Sequence, residues 1–157
     1  MQVSRIVAVF VACFFLTHAA TSSACGESLF RIGPGDHRHS YTAPLPGKIL
    51  IVARVDGART LADALTTAGH EVHVVNSATE LAGELDQSEY DIVLALFSER
   101  KLVEAQMVAS RATFLPVAVA PEERKLARQE YRKALSTSDS LKRYLRTIHR
   151  ALKEAHV

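Results

Sequence analysis

The sequence predicts a small α/β domain in which a mainly parallel sheet of about five strands is covered by helices on both faces. Short apolar runs alternate with amphipathic stretches, and the connections between them are short. Strands that alternate with helices imply right-handed crossovers and therefore a doubly wound parallel sheet. A chain of 157 residues, 48% hydrophobic and 23% charged, has the size and composition of one globular domain.

The first strand and helix follow a segment that is rich in Gly and Pro. KILIVA, residues 48 to 53, is a short apolar run bounded by Gly47 and Arg54. The stretch TLADALTTAG then places Leu61, Leu65 and Ala68 on one helical face. These two patterns predict a strand and then a helix.

The second strand and helix are marked by their end signals. Gly69 ends the preceding helix, because glycine adopts left-handed backbone at the least cost. HEVHVV then alternates, with Val72 and Val74 on one side, and predicts a strand. Ser77 and Glu80 stand at the spacing of a capping box, which predicts that a second helix begins there.

The middle of the chain predicts a buried strand, a helix and a fourth strand. YDIVLALF is apolar on both faces, as expected of a strand covered by helices on both sides. ERKLVEAQMVAS presents Leu102, Val103 and Met107 as the buried stripe of a third helix. FLPVAVA, from Phe114, predicts the fourth strand.

The last part of the chain predicts a short helix, a fifth strand and a long terminal helix. PEERKLARQEYRKALSTSD contains the short helix and, near Tyr131 to Leu135, the strand. SDSLKRYLRTIHRALKEAH carries basic residues around one apolar stripe, which predicts an amphipathic helix. The stripe consists of Leu141, Tyr144, Leu145, Ile148 and Leu152.

Residues 1 to 24 predict a secretory signal peptide. Arg5 precedes an apolar run from Ile6 to Leu16, and small residues follow at Ser22 and Ala24. The run is too short for a transmembrane helix, which needs about 20 apolar residues. We therefore expect an exported protein, either periplasmic or anchored in the membrane as a lipoprotein that faces the periplasm.

Cleavage after Ala24 would make Cys25 the first mature residue and would remove Cys13, the other cysteine of the chain. A cysteine at this position is similar to the acylated cysteine of bacterial lipoproteins. Ser22 and Ser23 precede it, however, without the large aliphatic residue usual three positions upstream. Acylation, a free thiol and an intermolecular disulfide all remain open for Cys25.

Residues 25 to 47 predict an extended N-terminal arm, and residues 48 to 157 predict the domain itself. His37 and His39 in the arm lack nearby Cys or carboxylate partners at ligand spacing, so we interpret them as loop residues. His70 and His73 flank Glu71 without HExxH spacing and are expected at the surface. We expect no metal and no cofactor.

Several phrases, taken in order, carry a resemblance to a known family. KILIVARVDGAR resembles the first strand and following loop of the receiver domain of bacterial response regulators. AGHEV, YDIVLALF, FLPVAV and YRKAL are similar to its entry to the second strand and to its third, fourth and fifth strands. The resemblance runs from Lys48 to about Leu152 and implies a flavodoxin-like fold.

The resemblance also implies where the family's phosphorylation chemistry would lie. Ala53 and Arg54 occupy the positions of the acids that hold Mg²⁺. Leu96, or Phe97 if the alignment shifts by one residue, occupies that of the phosphoacceptor aspartate. Lys133 matches the family's lysine, although a solvent-facing lysine explains it equally well. Without the acids, we expect neither phosphoryl transfer nor any other enzyme activity.

These features favour an exported pseudo-receiver that acts as a protein-interaction or signalling module in the bacterial cell envelope. One alternative is a phosphorelay receiver with rearranged chemistry, in which Asp56 or Asp91 would serve, although Asp91 lies near the start of its strand. Another is a small-ligand-binding α/β module, although GxGxxG, Walker and GxSxG motifs are absent from the sequence.

The expected partner is an envelope protein bound by the basic C-terminal third. Arginines there are interleaved with tyrosines, and both residue types are enriched where interfaces carry binding energy. The alternative is a solvated basic face. The mature net charge of +1 gives no basic footprint for nucleic acid, and membrane contact is expected only through a lipid on Cys25. The candidate interface comprises Arg132, Lys133, Arg143, Arg146 and Arg150.

Overall fold

The computed structural model describes residues 42–53 and 57–155, so the expected signal peptide, Cys25, the two arm histidines and Arg54 lie outside the described residues. The strands are β1 Lys48–Val52, β2 Glu71–Val75, β3 Ile92–Leu96, β4 Thr113–Ala118 and β5 Leu135–Ser136. The helices are α1 Gly57–Thr67, α2 Ala78–Gln87, α3 Arg100–Gln106, α4 Pro121–Glu130 and α5 Leu141–Ala155, and a 3₁₀ turn, Phe97–Glu99, precedes α3.

The five described strands form one parallel sheet in the order β2-β1-β3-β4-β5. The order reverses at β1, since β2 lies on one side of it and β3 on the other. Leu50 in the middle of β1 is level with His73 of β2 and Val93 of β3. The predicted doubly wound, receiver-like α/β fold is confirmed.

Two apolar clusters occupy the two faces of the sheet. Ile51 and Leu94 point to one face, where they pack with residues of α1 and α5. Leu50 and Val93 point to the other, where they pack with residues of α2 and α3. Alternate residues of β1 and β3 therefore enter different clusters, which is why both strands are apolar throughout.

The ends of α1 and α2 follow the predicted signals. Gly69 has φ of +100°, in the left-handed region that favours glycine. At the start of α2, the Ser77 hydroxyl accepts the backbone N–H of Glu80 at 3.2 Å. The Glu80 carboxylate accepts the backbone N–H of Asn76 at 2.7 Å, one residue before the position expected for a capping box.

The third helix is shorter than its apolar pattern predicted, and the expected stripe is wrong at one position. Val103 is buried and Met107 packs against the same cluster, but Leu102 is 46% exposed. Residues four apart in a helix lie on the same face, so Val103 and Met107 both point to the core. Successive residues point about 100° apart, so Leu102 points away from that face.

The fifth strand also differs from the expectation, because β5 covers Leu135–Ser136 and not Tyr131 to Leu135. Tyr131 ends α4, since its backbone N–H donates to the carbonyl of Ala127 at 2.9 Å. Its ring packs edge-on against Phe97 and Phe114, with centroids 6.3 and 5.5 Å away. Tyr131 therefore belongs to the helix end, and the strand starts four residues later.

The terminal helix α5 is the amphipathic helix that the sequence predicted. Tyr144, Leu145, Ile148 and Leu152 are buried, and Leu141 packs at the margin of the same cluster. Among the described residues, no helix is both long enough and apolar enough to cross a membrane.

The final residues of the expected arm pack on the domain. Ala43 is buried and donates its backbone N–H to the carbonyl of Ala68 at 2.6 Å. Gly47 lies so close to Leu152 that a Cβ on this residue would stand 2.6 Å from Leu152 Cδ2. The start of β1 is thus fixed between α1 and the end of α5.

Candidate functional site

The carboxyl ends of the strands meet at one edge of the sheet, where open α/β folds usually bind ligands. Ala53 follows β1, Leu96 ends β3, and Ser136 ends β5. Because Val52 is level with Ala95, Ala53 and Leu96 occupy neighbouring positions at this edge. The structure therefore brings together two of the positions where the sequence analysis expected a degenerate phosphorylation site.

Neither of these two side chains offers an oxygen atom. Ala53 is buried, and its backbone N–H donates to the carbonyl of Val75 at 3.0 Å. Leu96 is half-buried and is followed directly by the 3₁₀ turn, which buries Phe97. This part of the edge is lined by hydrocarbon at the positions where phosphoryl chemistry needs carboxylates.

Lys133 does not join this group. It lies two residues before β5 begins, on the amino-terminal side of the strand. Its side chain is 14% exposed, and its ammonium group bonds the carboxylate of Glu154 near the end of α5. The hydrogen bond from Lys133 holds the pKa of Glu154 below its usual value. The alignment that matched Lys133 to the family's lysine placed the fifth strand too early in the chain. In the structure, Ser136 and not Lys133 lies at the carboxyl end of β5.

An acid that the sequence analysis did not select lies after β5. The Asp139 side chain is 6% exposed and accepts hydrogen bonds from Arg124 Nη2 at 2.8 Å and from the backbone N–H of Ser136 at 2.9 Å. Arg143 Nε lies 3.1 Å from its second oxygen. Asp139 thereby joins α4, β5 and α5. The sequence signal that could have indicated it is its position in SDS, directly before α5.

The ring of Phe97, directly after β3, packs edge-on against the ring of Tyr131 at the end of α4. The Arg100 guanidinium lies 4.1 Å from the centre of the Phe97 ring and also bonds Glu130 at 2.9 Å. The Tyr131 hydroxyl donates to Glu104, and burial raises the pKa of Tyr131. These contacts tie the end of α4 to α3 beside the edge that Ala53 and Leu96 occupy.

His70 is buried, so the expectation that it lies at the surface is wrong. Its Nδ1 accepts the backbone N–H of Gly47 at 3.2 Å, and burial lowers the pKa of His70. Asp91 accepts the backbone N–H of Lys48 at 2.7 Å. Both residues hold the start of β1, at the edge opposite Ala53 and Leu96. Within residues 42–53 and 57–155, no three His, Cys, Asp or Glu residues are grouped so that they could hold a metal ion.

The candidate interface follows α5. Arg143, Arg146 and Arg150 are exposed along this helix, and Arg132 is exposed before β5. Lys133 is the exception, because it is mostly buried in its contact with Glu154. We call the exposed cations of α5 the α5 basic face; it comprises Lys142, Arg143, Arg146, Arg150 and Lys153.

No protein-family model and no curated protein matches the chain. Solved structures do. The chain is similar to the signal receiver domain of an HD domain-containing protein from Pseudomonas fluorescens Pf-5, with 19% identity over 71% of this chain and 98% of that one and a TM-score of 0.61. The N-terminal domain of a response regulator/sensory box/GGDEF three-domain protein from Carboxydothermus hydrogenoformans gives 16% identity, 69% and 96% coverage and a TM-score of 0.60.

A third structure is NtrX from Brucella abortus, solved in complex with ADP. It matches 71% of this chain at 16% identity with a TM-score of 0.63, and the match spans 27% of the NtrX chain. These identities establish the fold alone. The strand order, the helices on both faces and these three likenesses agree, and the described part of the chain has the fold of a response-regulator receiver domain.

Proposed function

We propose that this protein is an exported pseudo-receiver, which keeps the receiver scaffold without its phosphorylation chemistry and acts as a protein-interaction module in the bacterial cell envelope. The observation that carries the proposal is that Ala53 and Leu96, which directly follow the paired residues Val52 and Ala95, occupy neighbouring positions at the carboxyl edge. Receiver phosphorylation needs oxygen ligands for Mg²⁺ and a carboxylate acceptor, and neither side chain supplies them.

The phosphorelay alternative finds less support. Asp91 lies just before β3, at the amino edge, and its carboxylate accepts the backbone N–H of Lys48. Asp139 lies after β5, but its carboxylate is already engaged by two guanidinium groups and a backbone N–H. Asp56, the other acid that this alternative could use, lies outside the described residues.

The small-ligand alternative also depends on the carboxyl edge. There Phe97 is buried under Arg100, and the loop after β5 is held by Asp139. In the described part of this edge, these contacts favour a packed surface over an open binding cleft. The α5 basic face, by contrast, presents several exposed cations, and exposed arginine is a common anchor of protein interfaces.

Export is tested by the intact mass of the native protein. The layout of residues 1 to 24 predicts that the mature chain begins at Cys25. A mass that starts at Cys25 is the expected result, and an added acyl mass would assign the lipid to this thiol. A mature protein that retains Met1 would refute export by this route.

The interaction is tested by purifying the tagged mature protein from its native envelope. The variant Arg146→Glu/Arg150→Glu reverses the middle of the α5 basic face, where both residues are exposed. Arg143 is left unchanged because it contacts Asp139, and a glutamate there would repel that buried carboxylate. The matched control, Lys101→Glu/Arg111→Glu, makes the same change in net charge on exposed residues outside α5.

We expect the wild-type protein and the control to recover the same partner and the α5 variant to lose it. All three proteins should have the same circular dichroism spectrum, since both exchanged pairs lie off the buried stripe of their segments. If the folded α5 variant recovers the partner with unchanged affinity, the α5 basic face is not the interface.

A further inference from the structure

The charges of this chain are segregated along its length. Residues 42–106 carry five basic and ten acidic residues, a net charge of −5. Residues 107–157 carry eleven basic and five acidic residues, a net charge of +6. The first part contains β1 to β3 with α1 to α3, and the second contains β4 and β5 with α4 and α5. Residues 42–157 therefore consist of an acidic part followed by a basic part.

Three cations of the α5 basic face are placed where they repel each other along the helix. Lys142, Arg146 and Arg150 follow each other at intervals of four residues, so like charges are neighbours on the helix surface. Lys142 also lies in the first turn, where the helix dipole disfavours a cation. Lys142, Arg146, Arg150 and Lys153 form no ion pair with another residue of the described ranges.

The complementary charge lies at α2. This helix contains Glu80, Glu84 and Asp86 without a basic residue, and Glu89 follows it. Asp86 lies in the last turn, where the helix dipole disfavours an anion. Asp86 and Glu89 are exposed and form no ion pair within the described part of the chain. We call Asp86 and Glu89 the α2 acidic face; Glu80 and Glu84 lie on another side of the helix, where they bond Asn76 and Tyr90.

The two faces cannot meet within one molecule. α5 packs with α1 on one face of the sheet, through residues such as Leu61 and Ile148. α2 packs with α3 on the opposite face, through Leu81 and Val103. α2 also contacts β2, where Glu84 lies 3.8 Å from His73, whereas α5 contacts α1 and β3. Only a second molecule can present an α2 acidic face to an α5 basic face.

We propose that the α5 basic face of one molecule docks on the α2 acidic face of a second copy of the same chain. This inference rests on the proposed function in taking the α5 basic face as the interaction surface. The contact is heterologous, because different surfaces of the two copies meet, so it leaves one free face at each end and extends to a chain or closes to a ring. Pairing two α5 basic faces about a two-fold axis would instead bring like charges together.

The experiment is a charge exchange between two variants of the mature protein, followed by sedimentation at low ionic strength. The α5 variant, Arg146→Glu/Arg150→Glu, reverses two of the five cations of the α5 basic face and keeps its α2 acidic face. The α2 variant, Asp86→Lys/Glu89→Lys, carries base on both faces. Glu80 and Glu84 stay unchanged because they bond Asn76 and Tyr90. When the two variants are mixed, the unchanged α2 acidic face of the α5 variant can meet the unchanged α5 basic face of the α2 variant.

We expect the wild-type protein to associate with rising concentration and to dissociate with rising salt, because surface charges are screened over about 10 Å at 0.1 M. Each variant alone should remain monomeric, and the equimolar mixture should form a heterodimer through the two unchanged faces. The control Lys101→Glu/Arg111→Glu should associate like the wild type. Circular dichroism of each variant verifies that lost association does not come from lost folding.

Three results would overturn the inference: a wild-type protein that stays monomeric at low salt, an α2 variant that still associates alone, or a mixture that does not associate. None of them bears on the proposed function, because recovery of an envelope partner by a monomeric wild-type protein would leave that proposal standing. Conversely, self-association without any envelope partner would support the inference and count against a separate envelope protein as partner.

Discussion

The buried imidazole of His70 accepts the backbone N–H of Gly47 at Nδ1, over 3.2 Å. This bond joins the entry to β2 with the entry to β1. Burial lowers the pKa of His70, and the nearby imidazole of His149 lowers it further. His149 Nδ1 is itself buried without a hydrogen-bond partner among the described residues. The neutral form of His70 is therefore part of the folded structure.

This arrangement predicts acid-sensitive stability. The pKa of His70 is lower in the folded chain than in the unfolded chain, so the unfolded chain binds more protons as the pH falls below about 6.5. The free energy of unfolding should fall as the pH drops from about 7 through the folded pKa, by at most about 1.4 kcal/mol per pH unit for one site. Denaturant unfolding at a series of pH values measures this slope.

The matched variant is His70→Gln, whose side-chain oxygen can accept the Gly47 N–H but does not titrate. Its unfolding free energy should vary less between pH 5 and 7 than that of the wild type. His73→Gln, at a position that is 41% exposed, serves as the control for exchanging another imidazole of the same segment. Equal slopes for His70→Gln and the wild type would show that His70 does not control the acid response.

Gly47→Ala should destabilise the protein through a steric clash. The new Cβ would lie 2.6 and 2.9 Å from the two methyl carbons of Leu152 and 3.3 Å from Asp91 Oδ2. Overpacking of this kind costs about 1–3 kcal/mol. The double variant with Leu152→Ala should lose less than the sum of the two single losses, because the shortened side chain makes room. Additive losses in chemical denaturation would contradict the clash.

Asp139→Ala should cost about 1–3 kcal/mol, because the backbone N–H of Ser136 loses its buried acceptor and Arg124 loses its ion pair. Asp139→Asn keeps an acceptor oxygen and should cost less. Arg143→Gln should cost under about 1 kcal/mol, since that side chain is 47% exposed. Urea unfolding of the three variants measures the order, and an Asn variant as unstable as Ala would assign the loss to charge alone.

Incubation with a small phosphodonor and Mg²⁺ should leave the protein unmodified. Ala53 and Leu96 give the carboxyl edge neither a metal ligand nor an acceptor carboxylate. Intact mass before and after treatment measures the outcome. A phosphate that hydroxylamine removes and that maps to any aspartate would contradict the proposal and favour the phosphorelay alternative, and Asp139→Asn would then separate that residue from Asp56.

Local signals in the sequence predicted most of the fold. The apolar run of β3, the left-handed Gly69 and the α5 stripe each depend on residues close together in the chain. The fifth strand was misplaced because Tyr131 resembles a strand residue by propensity, while its ring contacts with Phe97 and Phe114 hold it at the end of α4. Packing between distant segments decided that boundary.

The sequence by itself determined the fold class and the absence of acids at Ala53 and Leu96, because hydrophobic periodicity and residue identity are properties of the chain alone. Tertiary structure decided which side chains meet. Only it pairs Lys133 with Glu154 and Asp139 with Arg124, and only it buries His70 under Gly47. These contacts join residues 15 to 23 positions apart, and their geometry follows from how helices pack on the sheet, which no local pattern of residues specifies.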